Sequence, residues 1–374
     1  MGKIKDNFSR RQLFAMCTVA VLAPTLRLFP SRASELAGRG AWLSALLAAV
    51  PLLLYGAFLR SFMAQRREGE GMAELVGRAP GGKALLVLFA GWFLLYGALT
   101  LRAGAERFIT TVFPNASAAV FSVSMGLVAL IAALGACRTM ARAAKLVQPV
   151  VLGVLGLVLL AALSDIEAAN LFPITIYNMK DVLKGTVPAV DVIVAVMYTA
   201  CFLESAVTKE PKRFRDTALW LCFAVLLLFF LAVDIVGAFG AELASRLTRP
   251  FFSLVRNLVF FRTVERIEAL VVTLWVFPDF VLTFMLLYAG QYCIRLAMGQ
   301  DPRYIGEKLL DSSGARWVIW LCAAAMISGA VILAPTVSAL ELWSEKLIPL
   351  INLAVAFGLL PVVFLLTKIK RKKA

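Results

Sequence analysis

At 374 residues, 61% of them hydrophobic and only 16% charged, the chain is too apolar for a soluble domain. Its net charge of +15 would suit a nucleic-acid partner, but the basic residues gather at the ends of apolar stretches, where they meet anionic lipid, and nucleic-acid binding is set aside. Histidine is absent, which removes the commonest metal ligand and proton shuttle, and neither a metal nor a cofactor is expected.

Ten apolar stretches follow one another, at 12–30, 41–62, 84–105, 116–137, 146–164, 187–208, 216–240, 266–292, 316–334 and 346–367. Each approaches the ~20 residues that a helix needs to cross a bilayer. The first follows a basic start, as in a signal peptide, but runs to Phe29 and reads as an uncleaved first helix. With the N-terminus inside, 25 of the 38 Lys and Arg residues fall on inner segments and 13 on outer ones. That is the sign of the positive-inside rule, and an even number of spans puts both termini in the cytoplasm. The six cysteines lie in or beside spans without paired spacing, as small apolar packing residues. Loops are short, so 1–374 is expected to form one integral membrane domain.

Ten spans divide into five plus five, a first repeat over 1–164 and a second over 187–367, and an odd number per half inverts the second relative to the first. In such transporters the first helix of each half is often broken at mid-membrane. The first span carries Ala23-Pro24-Thr25 near its middle, and the sixth carries Tyr198-Thr199-Ala200-Cys201 and then Glu204. Broken backbone at that depth survives only where it is buried or lines a cavity, so the two breaks are expected to face each other around a ligand. The alternative is that Pro24 only kinks a packed helix.

On the third span Trp92, Tyr96 and Thr100 form one stripe, which serves either helix packing or a ligand wall. Arg102 and Glu106, four apart, share a face and are expected to pair as a gate or brace, joined by Arg27. The outer segment 242–265 combines five nearby arginines, from Arg246 to Arg266, with Pro250-Phe251-Phe252, and reads as an amphipathic lid or a surface helix. Glu204 in the sixth span and Asp279 after Pro278 in the eighth are costly in lipid, and no neighbour along the chain neutralises them. They are candidates for function; Asp234 and Glu268 occupy outer thirds, and Asp191 reads as interfacial. No P-loop and no nucleophile with a base is present, so an enzyme is not expected.

Several fragments resemble one family in order and spacing. The most specific is Arg249-Pro250-Phe251-Phe252-Ser253-Leu254-Val255-Arg256, followed by Val264-Glu265-Arg266-Ile267-Glu268-Ala269 and Trp275. Leu101-Arg102-Ala103-Gly104-Ala105-Glu106, Gly135 with Ala141-Arg142, Leu171-Phe172-Pro173-Ile174 and Phe202-Leu203-Glu204 support it. From Ser9 through the tenth span, the chain resembles the B subunit of bacterial spore germinant receptors (GerAB-like spore permeases), within the amino acid–polyamine–organocation transporter superfamily.

The resemblance implies an all-α membrane protein with a LeuT-like five-plus-five inverted repeat and broken helices 1 and 6. It implies a subunit that binds a small germinant, often an amino acid, with an A subunit and a lipoprotein C subunit, in the inner membrane of a spore-forming bacterium. The implied pocket lies among helices 1, 3, 6 and 8, at Ala23, Pro24, Thr25, Trp92, Tyr96, Thr199, Cys201, Glu204, Val281 and Leu282. Arg102, Glu106, Glu204, Glu268 and Asp279 are the candidates for gating or ion coupling. Where relatives carry glycines in the first helix this chain has Ala23-Pro24-Thr25. Two other readings stand beside this one: an autonomous proton- or sodium-coupled transporter of an amino acid or amine, and a structural subunit without a ligand.

Overall fold

The computed structural model describes residues 8–67, 70–111, 116–135, 137–207, 214–258, 267–300 and 313–373. Among them the chain is helical apart from loops and one parallel bridge between Phe8 and Val207. Helix α1 spans Arg10–Ala37, α2 Ala41–Leu47, α3 Ala49–Met63, α4 Met72–Arg78, α5 Gly82–Thr111, α6 Ala118–Leu134, α7 Cys137–Ala162 and α8 Ala168–Leu171. The second half holds α9 (Met179–Leu203), α10 (Phe214–Arg246), α11 (Pro250–Asn257), α12 (Ile267–Ala297), α13 (Ser313–Ile332), α14 (Val337–Leu342), α15 (Ile348–Leu353) and α16 (Leu360–Lys373).

Seven segments are long and apolar enough to cross a membrane, and α6 and the Trp317–Ile332 stretch are shorter apolar helices. The first segment, Arg10–Met63, is 54 residues long and contains two spans. They are separated at Gly38, whose φ of 56° lies in the left-handed region that favours glycine. Ten crossings result. Leu146, Leu157 and Leu160 of α7 are largely exposed, as expected of side chains that face acyl chains.

The crossings pack on their counterparts in the other half. Helix α1 lies against α9, α2 against α10, α5 against α12, and α6 against α13. These pairings match spans one with six, two with seven, three with eight and four with nine, an arrangement compatible with a five-plus-five inverted repeat. Helix α1 also touches α10 and α12, which places it at the centre of the bundle. Ser9 starts it with a reciprocal cap: its amide donates to Gln12 Oε1 at 2.8 Å, and its hydroxyl accepts from the Gln12 amide at 3.3 Å.

The expected breaks do not occur where the sequence placed them. Helix α1 is helical through Ala23-Pro24-Thr25, and α9 is helical through Tyr198-Thr199-Ala200. Proline's fixed φ is compatible with a helix; what it removes is one N–H and some room for the preceding turn, a cost that packing neighbours can absorb. The Thr199 hydroxyl folds back onto the Ala195 carbonyl at 2.7 Å, which satisfies it within a helix that stays continuous. Departures from α-helix lie elsewhere. Helix α9 gives way to a 3₁₀ turn at Glu204–Ala206, α10 is broken at Gly240 (φ 71°, ψ 158°), and the tenth span contains π turns at Trp343–Leu347 and Ala354–Leu359. At the Gly240 break the Gly237 carbonyl accepts from the Asn170 side chain at 2.8 Å and from the Glu167 amide at 3.1 Å.

Both ends of the described chain lie at one face of the bundle, here called the terminal face. The Phe8 amide donates to the Ala206 carbonyl at 3.1 Å, and Thr367 donates to Gln65 Oε1 at 3.1 Å. Helix α4 lies at the same face, where Tyr292 donates to the buried Glu74 carboxylate; burial nevertheless raises the pKa of Glu74.

Toward the opposite face, α9 approaches α1 and α2 through Gly185. A Cβ there would lie 2.6 Å from the Ala37 Cβ and 2.5 Å from the Ser44 Oγ, which itself donates to the Val182 carbonyl at 2.7 Å. Neither neighbour has a flexible end that could yield. Gly185→Leu is expected to lower stability by about 1–3 kcal/mol, the cost of overpacking, seen as a lower unfolding midpoint of the detergent-purified protein. Gly153→Leu, where nothing lies within 4 Å, is expected to leave the midpoint unchanged.

Candidate ligand-binding site

The residues singled out by the sequence occupy three levels of the bundle. At the middle level α5, α9 and α15 meet around a chain of hydrogen bonds. Trp92 Nε1 donates to the Tyr198 hydroxyl at 2.8 Å, and that hydroxyl donates to Asn352 Oδ1 at 2.7 Å. The Tyr96 ring stacks on Trp92 with centroids 5.7 Å apart and planes at 14°. Asp191, two turns before Tyr198 on α9, is 2% exposed and close enough to Tyr96 and Asn352 to interact with both. The Asp191 carboxylate and the Asn352 side chain face each other, and Asp191 Oδ1 and Asn352 Nδ2 each lack a well-formed hydrogen bond.

Asn352 falls between the two π turns of the tenth span, a kind of irregularity that frequently marks functional sites. Ala23, Pro24 and Thr25 on α1, and Val281 and Leu282 on α12, are buried. Because α1 is continuous, its half-helix amides are not free to receive a ligand. Side chains supply the polar groups instead.

Near the terminal face, Cys201 and Glu204 line a cavity of about 90 Å³ between α1, α3, α9 and α10, together with Cys17, Met197 and Trp220. Glu204 is not isolated: Arg66 Nη1 lies 2.9 Å from its Oε2. The candidate residues therefore separate, with Trp92, Tyr96 and Thr199 at the middle and Cys201 and Glu204 below.

Toward the opposite face lies a layer of charge. Arg102 Nη1 pairs with Glu106 Oε2 at 2.6 Å as the spacing predicted, and Arg102 Nε donates to the Ala334 carbonyl at 2.8 Å. Asp279 is neutralised by Arg107, whose Nη2 lies 3.1 and 3.0 Å from its two carboxylate oxygens, with both residues buried. No neighbour along the chain neutralises Glu204 or Asp279, as expected; their partners come from 138 and 172 residues away. Arg27 lies near Asp279, Tyr96 and Arg107, and the ion pair of Glu106 is with Arg102.

The Arg107 guanidinium also sits over the Phe252 ring, 5.4 Å from its centroid. Phe252 belongs to α11, which packs Phe251 and Phe252 on Trp275 of α12 and so covers this end of the bundle. Arg249, at the start of α11, donates to the Thr110 hydroxyl; burial, then the neighbouring Arg107, lowers its pKa. The remainder of the lid, 259–266, lies outside the described residues, as does the side chain of Glu268.

Helices paired across two halves around a buried polar crossing define a permease-like integral membrane protein. The fold comparison agrees. A solved structure of a Na+-coupled sialic acid symporter, in a substrate-bound outward-open state, superimposes with a TM-score of 0.55 over 95% of this chain and 80% of the symporter, at 13% identity. The model of the spore permease family, described as spore germination protein, matches residues 7–305, and the chain belongs to that family. None of the curated proteins compared with the chain matches it. Family and fold are those of permeases and not of enzymes.

The buried Arg107–Asp279 pair gives a direct test of the charged layer. Removing one partner strands the other in a low-dielectric interior, at a cost of about 3–5 kcal/mol. Asp279→Asn and Arg107→Leu are each expected to lower the unfolding midpoint markedly, and the double variant Arg107→Leu/Asp279→Leu to recover most of the loss. A double variant as unstable as the sum of the single ones would show that the two groups act independently.

Proposed function

We propose that this chain is the membrane subunit of a spore germinant receptor and binds a small germinant, an amino acid, at the middle level of the bundle. It lies in the inner membrane of a spore-forming bacterium with both termini cytoplasmic, and its response is read by a larger A subunit and a lipoprotein C subunit. Family membership supports the role in germination, and the positive-inside charge bias supports the orientation. The repeats 1–164 and 187–367 are the two bodies whose relative arrangement the ligand biases.

The observation that carries the binding site is the buried pair Asp191 and Asn352, which face each other with Oδ1 and Nδ2 each lacking a well-formed hydrogen bond. A buried group without a partner costs about 1–3 kcal/mol, and lipid supplies none. One is an acceptor and the other a donor. A zwitterion matches both, its ammonium meeting Asp191 and its carboxylate Asn352, with the rings of Trp92, Tyr96 and Tyr198 around the ammonium. Thr25, Thr199, Val281 and Leu282 then bound the side-chain end of the ligand, and the cavity at Cys201 and Glu204 lies toward the terminal face. Binding favours one arrangement of the helices, and the partner subunits respond to that shift in population.

A second reading, transport of the ligand by this chain alone with coupling to protons or sodium, draws on the same fold. Glu204 and Asp279 serve gating in either reading, alongside Arg102, Glu106 and Glu268.

Two measurements test the proposal. Asp191→Asn, Asn352→Ala and Tyr96→Ala are each expected to raise the germinant concentration required for half-response about ten-fold, or about 1.4 kcal/mol, at matched receptor abundance. Tyr177→Ala, at a fully exposed outer position, is expected to leave it unchanged. Unaltered responses in all three variants would exclude the site. Amino-acid uptake by liposomes holding the purified chain alone would establish the transport reading; thermal stabilisation by the same amino acid without uptake would support the receptor.

A further inference from the structure

A second cavity, of about 710 Å³, opens between α1, α7 and α10 at the terminal face, and Arg10, Phe14 and Trp220 form the wall that it shares with the smaller one. Arg10, Arg11 and Arg215 line it against a single carboxylate, Asp216, so its polar end carries an excess of positive charge. Its other walls are apolar, with Phe14 inside and Leu219 and Phe223 at the rim, the last two 61% and 37% exposed on the surface that faces acyl chains. Arg10 is the informative residue. It is only 9% exposed, yet its Nε is buried without a hydrogen-bond partner. A guanidinium held that way in a cavity at a membrane boundary is a donor set in place for an oxyanion.

We infer that this cleft is a binding site for an anionic phospholipid. The phosphate is held by Arg10, with Arg11 and Arg215 at the mouth, and an acyl chain lies along Phe14, Leu219 and Phe223. A free phosphate ion would use the arginines but leave the apolar wall empty; a zwitterionic lipid would bring a cation to a cluster that already has an excess of guanidinium. Basic pockets between spans, with a way out to the hydrocarbon, select for both parts of an anionic lipid at once. The site is separate from the amino-acid cluster and does not depend on it. Its position between the first, fifth and seventh spans lets lipid brace α1, the helix that touches both halves of the bundle.

The test uses the full chain, purified in detergent and then offered phosphatidylglycerol, phosphatidylcholine of the same acyl chains, or inorganic phosphate. Retained lipid is counted by native mass spectrometry and the unfolding midpoint recorded. Phosphatidylglycerol is expected to be retained and to raise the midpoint, the other two to do neither. Arg10→Gln and Arg215→Gln are each expected to weaken retention about ten-fold, the scale of one hydrogen bond to a charged group. Arg215 is exposed, so its variant remains informative should Arg10→Gln fail to fold. Arg142→Gln, on exposed surface of α7 and not among the residues that line the cleft, is expected to retain lipid as the unmodified chain does. Equal retention of the two lipids, an equal effect of phosphate alone, or an equal loss in Arg142→Gln would each overturn the proposal.

Discussion

Hydrocarbon offers no hydrogen bond to anything, and that constraint orders the whole molecule. Several places where the helical ladder or a charge would be left bare are answered from elsewhere in the chain. Asn170 and the Glu167 amide reach the carbonyl of Gly237 where α10 breaks at Gly240. Arg66 answers Glu204 at the turn that ends α9, and Arg107 answers Asp279 in mid-chain. These partners lie far apart in sequence, so the bundle cannot satisfy its polar groups until the two halves have come together. At the middle of the bundle Asp191 and Asn352 keep unused capacity in a place where unused capacity is costly, as Asp234 and Gln291 do elsewhere in the bundle.

The same constraint explains which features the sequence displayed. Spans are legible because apolar length is a property of contiguous residues, and even the two helices shorter than the rest were found at their places. The Arg102–Glu106 pair was legible because both residues lie on one helix four apart. Arg107, next in line, looks like an outer-loop cation until folding sets it against a carboxylate on α12. Asp191 was taken as interfacial for want of any local sign that its helix begins well before it, at Met179.

Helix breaks were misplaced for a related reason. Pro24 advertises a break and does not make one, while Gly240 gives no signal inside an apolar run and does break its helix. Glycine's effect depends on whether a partner such as Asn170 stands ready for the freed carbonyl, which spacing along one helix does not reveal. Asn352 was missed altogether. It is a single polar residue in the run Pro349-Leu350-Ile351-Asn352-Leu353, and its meaning comes only from the two π turns around it and from the Tyr198 hydroxyl that it accepts.

The polar cluster lies between two closures. At the terminal face the Phe8 amide and Arg66 hold the end of α9; at the other, α11 lies over Arg107 and Asp279. Moving a two-state equilibrium from one in a hundred to the reverse requires about 5.5 kcal/mol of differential binding. One ordinary hydrogen bond, at about 1 kcal/mol, is too small for that. Two buried groups relieved of an orphan's penalty, at about 1–3 kcal/mol each, come close to the required scale, and a ligand that met only one of them would not. On the proposed reading, the Asp191–Asn352 pair therefore does more than bind: it makes the response depend on a ligand that carries both charges.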